Sequence, residues 1–458
     1  MTKNNRRLSN YFFLLAMAVL FSFLALTSAP AAEGQPAPTD KKPQTTAVGS
    51  QPAVPVNDTA IPKIEEPVVI GLISPELGPY GKQGMDQRRA AEMAVEEINA
   101  AGGIMGKKVN LVFRDSKSNP RIAKENAIEL FDKENAQMIF GGVSSAVALV
   151  TGKVAKIKEK IFFGTSSFSP DITAEEGHKY IFRECSDSRM AAKVLSGIFR
   201  ENFINKYFFY VTVDDNWGST TEELFRKYTD TADKDKHRSF LTKLGADDFK
   251  SVFSLAQELE AEVLVLVLFG RDLEFAIKQA YDMGLKNKMQ IVVPNITIDI
   301  ADGAGPEAVE GILSTTAWYW KLPFEENYTQ GVTFVKKYEE RFHRYPSAAA
   351  ASAYIIPYQY KEAVERAKTF DTLPVIKALE DHKYIGLKDG QQWRGFDHQS
   401  IQTVFAVKCK KADEVKKDKY QSDYYEILNK MKGEEAAITK AEWDSVRETV
   451  GAPPTLEE

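Results

Sequence analysis

Cysteine and histidine are scarce in this sequence. Its 458 residues include two cysteines and five histidines, and no cluster of them has the spacing of a metal site. We therefore predict neither a bound metal nor another cofactor. Cys185 and Cys409 could pair in an oxidising compartment, but both lie in apolar or strand-like surroundings, which favours two free, buried thiols.

A surplus of positive charge is also absent. The formal net charge is -5, so the chain lacks the basic field that holds nucleic acid. The sequence contains no Gly-x-Ser-x-Gly elbow, no phosphate-binding loop with its lysine and no dinucleotide fingerprint. These absences argue against an enzyme, although an amidase or esterase on an α/β scaffold stays open as a rival interpretation.

The first residues have the three parts of a secretory signal peptide. Lys3, Arg6 and Arg7 precede an apolar run over 11–26, and small residues follow at 29–32. We predict a signal peptide over 1–32, with cleavage favoured over retention as a membrane tether, and export to the periplasm. Residues 33–65 have the Pro- and Thr-rich composition of a disordered linker.

From residue 67 onward, short β-branched runs alternate with segments of helical spacing. Val68–Ile73 reads as a buried strand, and apolar residues at helical intervals follow from Met85 to Ala101. The alternation restarts near Tyr207, and 263–268 is so apolar that it predicts a central strand covered on both faces. The expected fold is α/β, with two doubly wound parallel-sheet lobes.

Four loops at the ends of predicted strands are rich in polar or aromatic residues. Ligands of open α/β sheets bind beyond the carboxyl ends of strands, near helix N-termini. Ser144 and Ser145 could therefore hold a ligand, or could only cap the next helix. The candidate residues of the four loops are Tyr80; Ser144 and Ser145; Ser166, Ser167 and Phe168; and Trp217.

Residues 67–407 resemble the type I periplasmic binding proteins of ABC transporters, the Leu/Ile/Val-binding family. The most specific motif is Ile98-Asn99-Ala100-Ala101-Gly102-Gly103-Ile104-Met105-Gly106, which matches the family pattern IN-x-x-GGI-x-G. The loops at 78–81, 141–145, 164–170 and 214–218 also match the family's pattern. The resemblance therefore includes both the loops that bind ligand in the family and the helix that ends in this motif.

The resemblance implies two lobes joined by three crossovers. Lobe one would comprise 66–186 and 318–385, lobe two 187–317 and 386–411, and 412–458 would be a charged C-terminal extension. The implied function is capture of a small polar molecule (an amino acid, amide or aromatic acid) by a monomer that delivers it to ABC permease subunits. A ligand sensor that feeds a signalling receptor is the alternative.

The resemblance also assigns ligand-binding roles. Ser144, Ser145 and Ser166 fall where relatives hold the ligand's carboxylate and amine, and Trp217 falls on an aromatic residue that covers the ligand. Phe269 and Asn295 lie where amino-acid binders often place an aromatic and an acidic residue in lobe two. Because Asn295 is neutral, an α-amino acid ligand becomes doubtful. The expected aromatic set of Tyr80, Phe168, Trp217 and Phe269 would suit a flat or aromatic ligand.

Overall fold

The computed structural model describes residues 66–456, so the predicted signal peptide and linker lie outside the described residues. The strands within this range are β1 Val68–Ser74, β2 Val109–Asp115, β3 Met138–Gly142, β4 Ile161–Thr165, β5 Ile181–Arg183, β6 Phe208–Val213, β7 Ser239–Thr242, β8 Val263–Val267, β9 Gln290–Val292, β10 Leu313–Thr316, β11 Lys383–Ile385, β12 Gly390–Trp393, β13 Ser400–Ile401, β14 Val404–Cys409 and β15 Tyr425–Met431.

The helices of the same range are α1 Gly81–Ala100, α2 Pro120–Asp132, α3 Ser145–Lys158, α4 Ser188–Asn202, α5 Asn216–Thr229, α6 Lys250–Glu258, α7 Gly270–Asp282, α8 Ile298–Ala304, α9 Pro306–Val309, α10 Leu322–Glu325, α11 Thr329–Phe342, α12 Ala348–Ala367, α13 Thr372–Leu379, α14 Ala412–Val415, α15 Gly433–Ala436 and α16 Lys440–Thr449. None of them is both long and apolar enough to span a bilayer.

The first sheet is parallel throughout, in the order β2-β1-β3-β4-β5. Helices α1, α12 and α13 cover one face, where Ile70 and Leu72 are fully buried. Helices α2 and α3 cover the other face, where Ile73 and Ile139 are buried. This is the doubly wound arrangement that the alternation of strands and helices predicts.

The second sheet has the order β15-β14-β10-β9-β8-β6-β7. Strands β6 to β10 are parallel, and β14 and β15 are antiparallel at one edge. β8 lies between β6 and β9 and is buried along its whole length, as its unbroken apolar sequence predicts. The predicted α/β class with two parallel-sheet lobes is confirmed.

The chain crosses between the sheets after β5, after β10 and between β13 and β14. The third crossing differs from the expected position at residue 386. The small antiparallel sheet β11-β12-β13 lies beside the first sheet, to which it is joined by a bridge between Arg183 and Gln399. The small sheet lies with lobe one because its Trp393 is fully buried and packs against Phe163 and Phe182 of that lobe.

Residues 412–456 form structure where the sequence suggests a charged surface extension. β15 pairs with β14 at the edge of the second sheet. Helix α16 then returns to lobe one, where Trp443 Nε1 donates to Thr173 O at 2.8 Å. Arg447 Nη1 donates to Ala174 O and Gly177 O, each at 2.9 Å. The C-terminal segment therefore connects the lobes a fourth time.

Replacing Trp443 by alanine should destabilise the protein strongly. The side chain is fully buried, and loss of a buried tryptophan costs about 3–5 kcal/mol of unfolding free energy. Urea denaturation measures this difference. The matched control is Ile157→Ala, because this side chain is 76% exposed and its loss should change the free energy by less than about 0.5 kcal/mol. Equal effects of the two substitutions would contradict the packing of α16.

Candidate ligand-binding cleft

The carboxyl ends of the parallel strands of the two sheets face each other across a cleft. Several residues on its two sides contact one another. The loop after β1 meets the start of α7, where Arg271 N donates to Pro79 O at 2.8 Å. Lys82 of α1 pairs with Glu274 of α7 at 2.8 Å. Asn216 of lobe two donates to Asp171 of lobe one at 2.6 Å. Loops from both lobes therefore share one buried space.

The four predicted aromatic residues come together around Phe269. Its ring centroid lies 5.8 Å from Tyr80, 5.6 Å from Phe168 and 6.2 Å from Trp217. The indole Nε1 of Trp217 is already used, since it donates to Ser188 Oγ at 3.1 Å. The four rings pack against one another, and among them only Phe168 lines the adjoining cavity.

The predicted serines have different surroundings. Ser166 lines the cavity and has a positive φ of 51°. Ser145 Oγ accepts from Ser169 N at 3.1 Å and so joins two neighbouring loops, whereas Ser167 Oγ donates to Thr165 O at 3.2 Å within its own loop. Ser144 is buried at the N-cap of α3, but its side chain makes no cap hydrogen bond. Helix capping therefore does not account for Ser144.

The cavity lies between the strand-end loops and the crossovers. It offers about 50 Å³ to the centres of water molecules, where a single water needs about 10–15 Å³. It therefore has room for a small solute. Three predicted residues line it, namely Ser166, Phe168 and Asn295.

Three lining residues, Asn295, Thr297 and Trp318, carry buried polar atoms without a partner. Asn295 Oδ1 accepts from Thr315 Oγ1 at 3.2 Å, while its Nδ2 has no partner. Thr297 Oγ1 and Trp318 Nε1 also lack a partner, and the exposed fraction is 5% for Asn295 and Trp318 and 6% for Thr297. An unsatisfied buried polar group costs about 1–3 kcal/mol, so a ligand that pairs with these atoms would be stabilised.

Sequence reasoning missed two charged residues of the cavity wall, Glu184 and Lys388. Ser352 Oγ donates to Glu184, whose pKa is raised by burial. Lys388 Nζ donates to Ala317 O at 2.5 Å and Thr403 O at 2.8 Å, and burial lowers the pKa of this amine to about 8. Nothing in the local sequence marks Glu184 or Lys388 as a neighbour of a cavity.

Two facing α/β lobes that enclose a cavity at the ends of their strands define a two-lobed binding protein. Comparison with known proteins agrees. The family model described as "Periplasmic binding protein" matches residues 67–414. The chain belongs to this family, and the resemblance predicted from its motifs is confirmed.

Related sequences and solved structures agree with this family assignment. Leu/Ile/Val-binding protein homolog 3 of Brucella melitensis biotype 1 is 25% identical over 323 residues, which cover 69% of this chain and 84% of the relative. A periplasmic binding protein of Burkholderia mallei is 26% identical with a TM-score of 0.74, over 82% of this chain and 97% of that one. An ABC transporter solute-binding protein of Rhodopseudomonas palustris BisB5, in complex with 3,4-dihydroxybenzoic acid, is 18% identical with a TM-score of 0.70, over 80% and 97%.

Neither thiol should react in the folded protein. Cys185 and Cys409 are free and buried, and burial raises the pKa of both thiols to about 12. Because the thiolate is the reactive form, a disulfide reagent at about pH 8 should label no thiol before unfolding and two afterwards. As a positive control, S219C places a thiol at an exposed position and should add one label in the native state. Fast labelling of the unmodified native chain would contradict this burial.

Proposed function

We propose that this protein captures a small polar solute in the cavity between its lobes and delivers it, chemically unchanged, to an ABC importer in the cell envelope. The observation that carries the proposal is the set of three unpartnered buried groups on Asn295, Thr297 and Trp318 in one cavity wall. Buried polar groups are nearly always paired in folded proteins. A solute with matching polar groups would pair with the three that this wall leaves without a partner.

The two lobes would share the solute. Lobe one contributes Ser166 and Phe168, lobe two contributes Asn295, and Trp318 follows the second crossover. A solute that touches both lobes stabilises only the form in which they are closed, so binding shifts the population toward that form. A permease that recognises the closed form would then select the loaded protein.

The comparisons support this proposal. The chain belongs to the periplasmic binding proteins, and one relative is named for leucine, isoleucine and valine. A neighbour of similar fold holds an aromatic acid. The predicted signal peptide agrees with a site of action in the periplasm, and we retain the expectation that the protein acts as a monomer.

A thermal-shift screen tests the proposal directly. The chain from Glu33 onward would be heated with amino acids, primary amides, and aliphatic and aromatic carboxylates. A solute that binds only the folded state raises Tm by mass action. We expect a saturable increase with one chemical class, whereas unchanged Tm with every solute would count against the proposal.

Asn295→Leu should separate binding from stability. The substitution removes an amide whose Nδ2 is unpaired, and Thr315 Oγ1 keeps its bond to Pro294 O at 2.6 Å. We expect the unliganded protein to change in unfolding free energy by no more than about 1 kcal/mol, while affinity for the solute found in the screen falls at least about tenfold. Calorimetric titration and urea denaturation measure the two quantities.

The control for this variant is Asn202→Leu. Asn202 is an exposed amide at the end of α4, remote from the cavity wall, and its replacement should leave affinity unchanged. Undiminished affinity of the Asn295 variant would remove this residue from the site.

A further inference from the structure

Two acidic side chains from opposite lobes are buried together where α1 meets α8. Asp86 lies on α1 of lobe one and Asp299 on α8 of lobe two, and both side chains are buried. Gln83, one turn before Asp86 on α1, donates from its Nε2 to Asp299 Oδ2. Thr297, two residues before Asp299, lines the cavity. This contact between the lobes therefore adjoins the proposed solute site.

The two carboxylates differ in the charges that touch them. Asp86 Oδ1 accepts from Arg89 Nη1 at 3.0 Å, and Arg344 Nη2 lies 3.6 Å from Asp86 Oδ2. Asp299 instead receives its hydrogen bond from the neutral amide of Gln83. A carboxylate that is buried without a cation in contact is costly, and a second carboxylate nearby adds to this cost. A proton on Asp299 would remove the less compensated of the two charges.

Three oxygens of this contact have no hydrogen-bond donor. They are Gln83 Oε1, Asp86 Oδ2 and Asp299 Oδ1, and all three are buried. An amide oxygen and an ionised carboxylate only accept hydrogen bonds, so these atoms cannot satisfy one another. A protonated carboxyl group, in contrast, has an O–H that donates. One proton on Asp299 would therefore supply a donor to a contact that consists of acceptors.

The wider surroundings of Asp299 determine its pKa. Burial first, and then the carboxylate of Asp86, raise the pKa of Asp299 to about 7, and Thr297 and Arg344 offset only part of this rise. The other titratable and charged groups come from the elements that pack around α8. They are Tyr338 of α11, Tyr425 of β15, Asp302 of α8 itself, Glu274 of α7 with its partner Lys82, and Glu307 of α9 with its partner Lys416.

We propose that closure of the lobes is coupled to the uptake of one proton by Asp299, so that acid favours the closed form that holds the solute. An open cleft separates α8 from α1 and returns Asp299 to water, where aspartate has a pKa of about 3.9. Because the closed form binds the proton more tightly, the ratio of closed to open protein rises as pH falls through about 7. It levels off below about pH 4, where both forms are protonated. This regulation rests on the proposed function.

Small-angle X-ray scattering tests the coupling without any added solute. The chain from Glu33 onward is unfolded and refolded to remove bound material, and its radius of gyration is measured between about pH 8 and about pH 5. Opening of a two-lobed protein increases this radius. We expect it to fall toward the acid end, because the ratio of closed to open protein should rise at least about tenfold over this range. A radius that is the same at both ends overturns the inference.

Asp299→Asn tests the assigned residue. The amide keeps the shape of the side chain, carries no charge and has N–H donors, so it imitates the protonated acid. We expect this variant to have the smaller radius throughout the pH range. The matched control, Asp235→Asn, removes a carboxylate of lobe two whose side chain is 98% exposed, and it should keep the pH dependence of the unmodified chain. If the radius of Asp299→Asn still increases with pH as in the unmodified chain, the assignment is wrong.

Two further comparisons separate this coupling from other effects. Circular dichroism and Tm of Asp299→Asn and Asp235→Asn at each pH reveal a folding defect, and the scattering of the unmodified chain needs no variant. Since none of these measurements uses a solute, their outcome is independent of the thermal-shift screen. An unchanged Tm with every solute counts against the proposed function, whereas an unchanged radius counts against the proton coupling alone.

Discussion

The buried guanidinium of Arg183 is the interaction on which the arrangement of the lobes depends. It is fully buried at the end of β5 and makes hydrogen bonds to Gln399 at 2.6 Å, Thr173 at 2.9 Å and Asp187 at 3.0 Å. Asp187 in turn accepts from Met190 N at 2.8 Å and so begins α4, the first helix of lobe two. Arg183 also donates to the carbonyl of Ser169, so one cation joins the first crossover, the segment beside the small third sheet and the loop that carries the serines. Removing a partner from such a network would leave an uncompensated buried charge.

The neighbouring crossovers are held by a second cation. Lys388 donates to Ala317 O in the second crossover and to Thr403 O in the third. Arg183 and Lys388 together fix the three segments around which the lobes would rotate. Since Glu184 and Lys388 also line the cavity, a solute there would contact the hinge itself and both lobes. Binding and hinge geometry are then coupled through shared residues, without an intermediate pathway.

The sequence was most informative where the signal is local. The unbroken apolar run of β8 predicted a central strand, and the strand-end loops predicted Ser166 and Phe168, which line the cavity, since parallel strands bring their carboxyl ends together. Aromatic residues from four loops indeed meet at Phe269. Periodicity cannot say whether such rings contact a ligand or one another, because both arrangements bury the same surface.

The features that the sequence did not reveal depend on long-range contacts. Glu184 lies in the first crossover and Lys388 in the turn between β11 and β12, and each alone has the character of an ordinary surface charge. β15 was missed because an edge strand is covered on one side only, and its alternation is obscured by exposed polar residues. The position of Trp393 could not be predicted for the same reason. Its ring packs against Phe163 and Phe182 of lobe one, which are more than 200 residues earlier in the chain.

The fourth connection between the lobes need not prevent them from opening. The chain from β15 to α16 passes over the third crossover so closely that a Cβ on Gly433 would lie 2.4 Å from Gln402 N. On its way it is held by Lys193 Nζ, which donates to Ala437 O at 3.2 Å, and by Arg394, which donates to Ile438 O at 2.9 Å. A link that runs beside a hinge moves little when the lobes rotate, whereas one across the cleft mouth would have to stretch. The C-terminal segment can therefore stabilise both lobes while leaving the rotation that solute exchange requires.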